Sequence, residues 1–426
     1  MRLALRSTNS WLNDMNYGTY KLRPRVPLHT VFGIALLVQL PGWAIGQEPQ
    51  PSRQNHVATF TVEKHGDPLL LPVTIDGVTG PFMLDSGASL HVLDQRFKSK
   101  LGKPITTNRV NTAGSPVSVA LFEPPKLLVG RLAVKRDRPV ANIDLTRLSE
   151  VLGRDVHGVL GAPFLLNRIV TVDFDRGIVG VLELGESSQE SWGVALPLRV
   201  DSNGHAYLQD VAIGSDKMSF LLDTGMNSSM TLARSEFERL QSRGLITSLR
   251  TSQITTASGD VERRTGRLES LSLGPFRHTS IIVGESTSNK IGLGYLSRFR
   301  ATIDVPRHRL YLARGDSYAK TDDADKSGLH LSWINKRVVV DLVDNHSPAQ
   351  RAGIIKGDVV LDVNGTLATG ASLGRLRHQL RSNEGKEQRL TLVRGERKLT
   401  ARFSLQEYAD WNPPNADSGR EDRTNR

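Results

Sequence analysis

The feature that most limits what this chain can fold into is a repeat. Residues 82–94 read FMLDSGASLHVLD and residues 219–232 read SFLLDTGMNSSMTL, each an apolar run that ends in an aspartate, a hydroxyl residue and a glycine. One such triplet is weak, because a turn aspartate that caps its own backbone looks the same. Here each triplet opens a longer parallel. NTAGSPVSV (111–119) follows Asp85, and TTASGDVE (255–262) follows Asp223 at a similar distance, both reading as Gly-bearing hairpin tips. Further on come two glycine-hydrophobic elements, HGVLGAPFLLNRIVTVDFD (157–175) and KIGLGYLSRFRATIDVPRHRLYL (290–312). Each runs into a strand carrying Asp173 or Asp304, which read as strand-end turn acceptors rather than reactive groups. Four features in one order predict two halves of one design, the product of an internal duplication.

The repeats place one lobe over 57–185 and a second over 192–314, separated by the polar stretch GESSQES. Gly 38 and Pro 20, interleaved with short Val, Ile and Leu runs, predict turn-rich β structure. Within the two lobes the clearest helical patches are TRLSEVL (146–152) and ARSEFERLQSRG (233–244). A third unit over 326–405 follows the linker DSYAKTDDADKS. It contains SPAQRAGIIKGDVVLDVNG, an amphipathic stretch ASLGRLRHQLRS (371–382) and a closing strand pair. The polar residues 406–426 read as a disordered tail.

The N-terminus sets the expected destination. Arg2, Arg6, Lys21, Arg23 and Arg25 precede the apolar segment VFGIALLVQLPGWAIG, with Ala44 and Gly46 before Gln47, so 1–46 reads as a secretory signal and the chain as exported, periplasmic or secreted. The alternative is an uncleaved N-terminal anchor. Gln39 and Pro41 interrupt the segment, which is short for a span, so no stable membrane span is expected after cleavage. The net charge of +11 includes this basic leader, and the remaining Lys and Arg are scattered among acids, which argues against nucleic acid as a partner. With no cysteine in the sequence, thiolate metal sites and cysteine nucleophiles are excluded. The histidines show no metal-ligand spacing, so neither metal nor cofactor is expected. Neither Gly-x-Ser-x-Gly nor His-Glu-x-x-His occurs, which removes the usual serine and zinc hydrolase patterns. His91 and His157 lie near the repeats and read as structural or exposed.

FMLDSGA, SFLLDTG, the paired hairpins and the GVLG and GLG elements resemble the two halves of a pepsin-like or retroviral-type aspartic protease. The resemblance implies a mainly β fold, with two retropepsin-like acid-protease lobes in one chain. It also implies catalysis by Asp85 and Asp223 facing each other across the cleft, where two like charges cannot both ionise cheaply and one proton is shared; aspartic proteases are the standard example of that splitting. Ser86, Gly87, Thr224 and Gly225 fall at the positions that lock the two aspartate loops together. Ala113 and Gly114 in one lobe, with Ser258 and Gly259 in the other, match mobile flaps, an arrangement with two flaps being favoured. Both halves lie in one chain, so a monomer suffices. The resemblance implies a peptide or an unfolded protein as the substrate. Two departures stand out. Met226 replaces the small residue found at Ala88 and is expected to crowd the cleft, and Ile291 stands where the first lobe has Gly158. A catalytically degenerate, peptide-binding protein is therefore the alternative to an endopeptidase.

SPAQRAGIIKGDVVLDVNG resembles the PDZ domains appended to bacterial exported proteases. That resemblance implies strand addition of a C-terminal peptide at a sheet edge. The edge would be Leu329, His330 and Leu331 after Gly328. Leu373, Leu376 and Leu380, at helical spacing, either line the groove or pack the core.

Overall fold

The computed structural model describes residues 58–62, 67–110, 117–185, 192–256, 259–381 and 384–408. The leader 1–46, the hairpin-tip residues Ala113, Gly114 and Ser258, and the tail beyond 408 lie outside the described residues.

In each repeat an apolar strand delivers its aspartate as the last residue, Val78–Asp85 in the first and Asp216–Asp223 in the second. Alternation puts Phe82 and Leu84, and likewise Phe220 and Leu222, on the inner face, where all four are fully buried. Burying a side chain of this size contributes about 1.5–3 kcal/mol, so the strand ends are anchored from below. A second strand runs antiparallel to each, Leu70–Ile75 and Ala206–Ile213 respectively. On the other side lies a short parallel strand, Gly158–Gly161 with Gly161 opposite Asp85, and Lys290–Gly292 with Gly292 opposite Asp223. Each of these also pairs antiparallel with the strand that leaves the aspartate turn, His91–Asp94 or Met230–Ala233. The glycine strand is thus wedged between entry to the turn and exit from it. That wedge explains the glycines: a Cβ on Gly161 would lie 2.3 Å from the Leu90 carbonyl oxygen, and one on Gly292 would lie 2.4 Å from that of Ser228.

This pairing corrects one expectation. Counting back from the paired glycines, Ile291 corresponds to Leu160, and Asn289 corresponds to Gly158. Ile291 is a fully buried core residue in its proper place. The second lobe departs from the first one residue earlier, where Lys290 replaces Val159.

The lobes join through a sheet at their base. Ile169–Asp173 pairs antiparallel with Phe299–Asp304, and the equivalent residues Thr171 and Thr302 face each other, so an approximate twofold axis passes between them. Ile178–Leu182 and Ala58–Thr61 extend this sheet on one side, Arg309–Arg314 and Val194–Val200 on the other. One apolar core, including Leu71, Phe82, Val170, Phe220 and Ile303, runs continuously through both lobes. Asp173 accepts from the Arg176 N–H and the fully buried Asp304 from Arg307, the turn roles read from sequence.

The C-terminal unit is a separate sheet with its own core. Leu329–Ile334 forms one edge of its main strand path and pairs with Arg337–Val343. Ser347 caps the short helix Pro348–Arg351 by accepting from the Gln350 N–H, and Asn364 and Gly365 make a tight turn with φ of +51° and +81°. The helix Leu373–Arg381 buries Leu373, Leu376 and Leu380 beneath it. This unit sits on the first lobe. Arg147, in the helix Thr146–Leu152, reaches Asp341 at 2.7 Å, and Arg154 donates to the Gly370 carbonyl at 2.6 Å. The two backbones touch so closely that a Cβ on Gly370 would lie 2.4 Å from the Gly153 oxygen.

Candidate active site

Six of the residues singled out in the sequence meet where the lobes join. The Ser86 N–H donates to Thr224 Oγ1 at 2.9 Å and the Thr224 N–H to Ser86 Oγ at 3.0 Å. Each hydroxyl then donates across to the opposite strand, Thr224 to the Leu84 carbonyl at 2.8 Å and Ser86 to the Leu222 carbonyl at 2.5 Å. These reciprocal bonds connect residues that lie far apart in the chain, and both side chains are withdrawn from solvent. A hydroxyl suits the position because it accepts and donates at once.

The clamp fixes the aspartates. Asp85 Oδ1 accepts from the Gly87 N–H at 2.8 Å, and Asp223 Oδ1 from the Gly225 N–H at 3.0 Å. Each carboxylate also lies over the glycine of the opposite lobe: a Cβ on Gly87 would come within 2.8 Å of the Asp223 carboxyl carbon, and one on Gly225 within 2.4 Å of that of Asp85. Glycine is required here for space, not for its backbone angles. Desolvation, followed by the charge of Asp223 alongside, pushes Asp85 up to about 7 against the pull of the Gly87 N–H and Lys290. Asp85 also lies within hydrogen-bonding reach of Asp223.

Sequence reasoning missed Lys290. Its ammonium donates to Asp223 Oδ2 at 2.8 Å, and Asp223 is only 4% exposed, so the pair is largely screened from water. The missed signal was the register: aligning the repeats on Gly161 and Gly292 sets lysine against Val159 and next to the aspartate strand. Met226 places its terminal methyl beside Gly292, where an added Cβ would approach it to 2.8 Å. Its backbone repeats that of Ala88, which accepts from Ala162 as Met226 accepts from Leu293.

His91 is buried and its Nδ1 accepts from the Gly161 N–H at 3.1 Å; burial lowers it to about 4, so it supports the glycine strand as a neutral ring. His157 lies over Gly80 and bonds through its backbone to Pro81 and Asp94. Of the flap residues, only the backbone of Gly259 is described, pairing with Thr256 at the end of the hairpin Ile246–Thr256 and Gly259–Leu273. The first lobe has a shorter pair, Thr106–Val110 with Val117–Phe122. Among the described residues no cluster of His, Asp and Glu could hold a metal ion.

In the C-terminal unit, Leu329, Leu331, Leu373 and Leu376 all pack into its core. Gly328 takes φ +75° against Ser347. His330 Nε2 lies 2.8 Å from Asp344; burial opposes its charge, but the Asp344 carboxylate prevails and raises it. The Leu331 carbonyl accepts from Arg377 at 2.6 Å.

Comparison with known families agrees with this geometry. The aspartyl protease family matches residues 71–164 and again 210–294, and the PDZ domain family matches 322–405. No curated protein matches the chain. The first match includes Asp85 and the glycine strand behind it, and the second includes Asp223 with Lys290 and Gly292, so both aspartate turns fall inside the family pattern. Protease segments fit peptide substrates and a PDZ domain fits peptide binding. The chain therefore consists of two aspartyl-protease segments of the retropepsin-like type followed by a C-terminal PDZ domain.

Proposed function

We propose that the protein is an exported aspartic endopeptidase that hydrolyses peptide bonds with Asp85 and Asp223, and that its PDZ domain docks substrate or partner peptides. The observation that carries this reading is the reciprocal Ser86–Thr224 clamp, which sets two carboxylates side by side at the lobe junction.

The two aspartates are not equivalent. Asp223 accepts from the Lys290 ammonium, which leaves Asp85 without that contact, and Asp85, pushed up to about 7, keeps its proton through the acid range. In this reading Asp223 takes a proton from a water held between the pair as the oxygen attacks the scissile carbonyl carbon. Asp85 gives its proton to the carbonyl oxygen. Proton return to the amide nitrogen then breaks the C–N bond and leaves a carboxylic acid and an amine, with no covalent intermediate. One chain supplies both carboxylates, so a monomer is sufficient.

The test is cleavage of an unfolded protein between acidic and neutral pH by wild type, Asp85→Asn and Asp223→Asn. Both variants should lose activity by at least about a thousandfold, the scale expected for removing an acid–base group. Equal cleavage by all three overturns the dyad. The Lys290 contact also favours a second reading, a peptide-binding protein without turnover. It predicts peptide binding by wild type and no cleavage at any pH. Export rests on the N-terminal leader; fractionation of cells, with N-terminal sequencing of the mature chain, tests it.

A further inference from the structure

A ligand strand adds to a sheet only where an edge offers backbone groups and room beside them. Leu329–Ile334 is the edge of the main strand path in the PDZ sheet, and Leu331 shows which of its groups face outward. Residues directly opposite in an antiparallel pair either bond each other or both turn away. Val340, opposite Leu331, donates to the Asp358 carbonyl and accepts from the Gly357 N–H, both at 2.8 Å. Val340 therefore turns away from Leu331, and Leu331 faces the open edge. That edge carbonyl is already taken. It accepts from Arg377 of the helix Leu373–Arg381 at 2.6 Å, so a guanidinium stands where the N–H of an added strand would come.

The first lobe closes the space beside the edge. Leu331 points into the PDZ core, so its neighbour Ser332 lies on the outer face of the sheet, where its hydroxyl donates to Asp341 at 2.9 Å. Arg147, at the beginning of the helix Thr146–Leu152, reaches Asp341 on that outer face. Gly153, which ends the same helix, packs on the inner side. A Cβ there would lie 2.6 Å from the Gly370 carbonyl oxygen and 3.1 Å from Leu373 Cβ, and one on Gly370 would lie 3.0 Å from the Trp333 ring. Leu373 belongs to the helix on the core face. A helix that touches both faces, with Cα atoms within 8 Å of those of Leu329–Ile334, crosses the free edge of that strand. An added strand needs that same space, about 4.8 Å from its neighbour. Leu329, Leu331, Leu373 and Leu376, the apolar residues between edge and helix, are at most 3% exposed, so a ligand side chain finds them covered.

We propose that the peptide-accepting edge of the PDZ sheet is an interaction surface for the protein's own first lobe, so that strand addition along Leu329–Ile334 and the seating of the helix Thr146–Leu152 exclude each other. This rests on the reading of the PDZ domain as a peptide-docking unit and adds the condition under which it docks. A peptide C-terminus enters only when the PDZ domain lifts from the lobe and Arg377 releases the Leu331 carbonyl. The coupling is reciprocal: whatever loosens the lobe contact tightens the peptide by the same factor.

The sequence has no cysteine, so a pair of thiols can be introduced without competitors. The full chain carrying Arg147→Cys with Asp341→Cys should bind a fluorescein-labelled peptide pool, randomised over its last four residues with a free C-terminus, about tenfold more tightly than wild type, equivalent to ~1.4 kcal/mol. Fluorescence anisotropy reads this. Bridging the two thiols with a short, reductant-cleavable bis-maleimide should abolish binding and cleaving the bridge should restore it, which separates occlusion from misfolding. Gly370→Ala, which wedges the contact with Gly153 and leaves both charges, should tighten binding likewise. Hydrogen exchange of residues 329–334, followed by mass spectrometry, should be slow in wild type and in the bridged protein and at least about tenfold faster in the two open variants. Wild type that binds as tightly as the open variants, binding that survives the bridge, or exchange that opening does not quicken overturns the occlusion and leaves the docking reading standing. Quickened exchange with no peptide bound by any form sinks the docking reading and keeps the occlusion.

Discussion

Removing one oxygen at the lobe junction should destabilise the protein out of proportion to the atoms lost. Thr224→Val keeps the shape of the side chain and deletes Oγ1, which accepts from the Ser86 N–H and donates to the Leu84 carbonyl. Thr224 is 0% exposed and Ser86 1%, so water cannot replace the lost partner. Each stranded backbone group costs about 1–3 kcal/mol, which gives about 2–6 kcal/mol for the pair. The surviving bonds of the Ser86 hydroxyl, to the Thr224 N–H and from Ser86 to Leu222, keep the clamp from being lost entirely. The assay is urea unfolding followed by tryptophan fluorescence, because Trp192 is buried against Tyr311 in the sheet that joins the lobes and reports on that region. The midpoint should fall with Thr224→Val and largely recover in Thr224→Ser, which restores the hydroxyl. Ser86→Ala combined with Thr224→Val should cost clearly less than the sum of the two single changes, since both act on one network. A Val variant within about 0.5 kcal/mol of wild type, the size of an ordinary surface change, refutes the view that these hydroxyls join the lobes.

Two other perturbations probe the dyad. Activity that needs Asp85 protonated should hold through the acid range and fall as pH rises through about 7; Lys290 pulls Asp85 down, so Lys290→Met should move this alkaline limb to higher pH and Lys290→Arg should leave it near its wild-type place, as read from kcat/KM against pH. A limb that is unmoved or shifts downward in Lys290→Met contradicts the electrostatic role. Gly225→Ala would put a methyl within 2.6 Å of both Asp85 carboxylate oxygens, and the displacement should cost about a hundredfold in activity, measured on the same peptide as wild type.

Much of this was legible along the chain because it is local. The helices Thr146–Leu152 and Arg234–Ser242 form where their apolar spacing falls. The Ser347 cap and the Asn364–Gly365 turn follow from residue types that favour those backbones. The paired aspartate turns were visible because duplication wrote the same signal twice. Lys290 was less visible because Gly161 can be aligned with either of two glycines in the second lobe, Gly292 or Gly294. The two choices differ by two residues, and only the one that pairs Gly161 with Gly292 sets Lys290 against Val159 beside the aspartate strand.

By itself, the sequence determined the strand that ends in each aspartate, the hydroxyl and glycine that follow, and the presence of a third unit with its own helix and core. Only the tertiary structure decided that Lys290 reaches Asp223, that each carboxylate lies over the other lobe's glycine, and that Arg147 of the first lobe reaches Asp341 of the PDZ domain. The physical reason is range. Capping, turn geometry and alternation act between residues a few positions apart, so composition carries them. Charge pairing and close packing act through space, and depend on how strands far apart in the chain come into register.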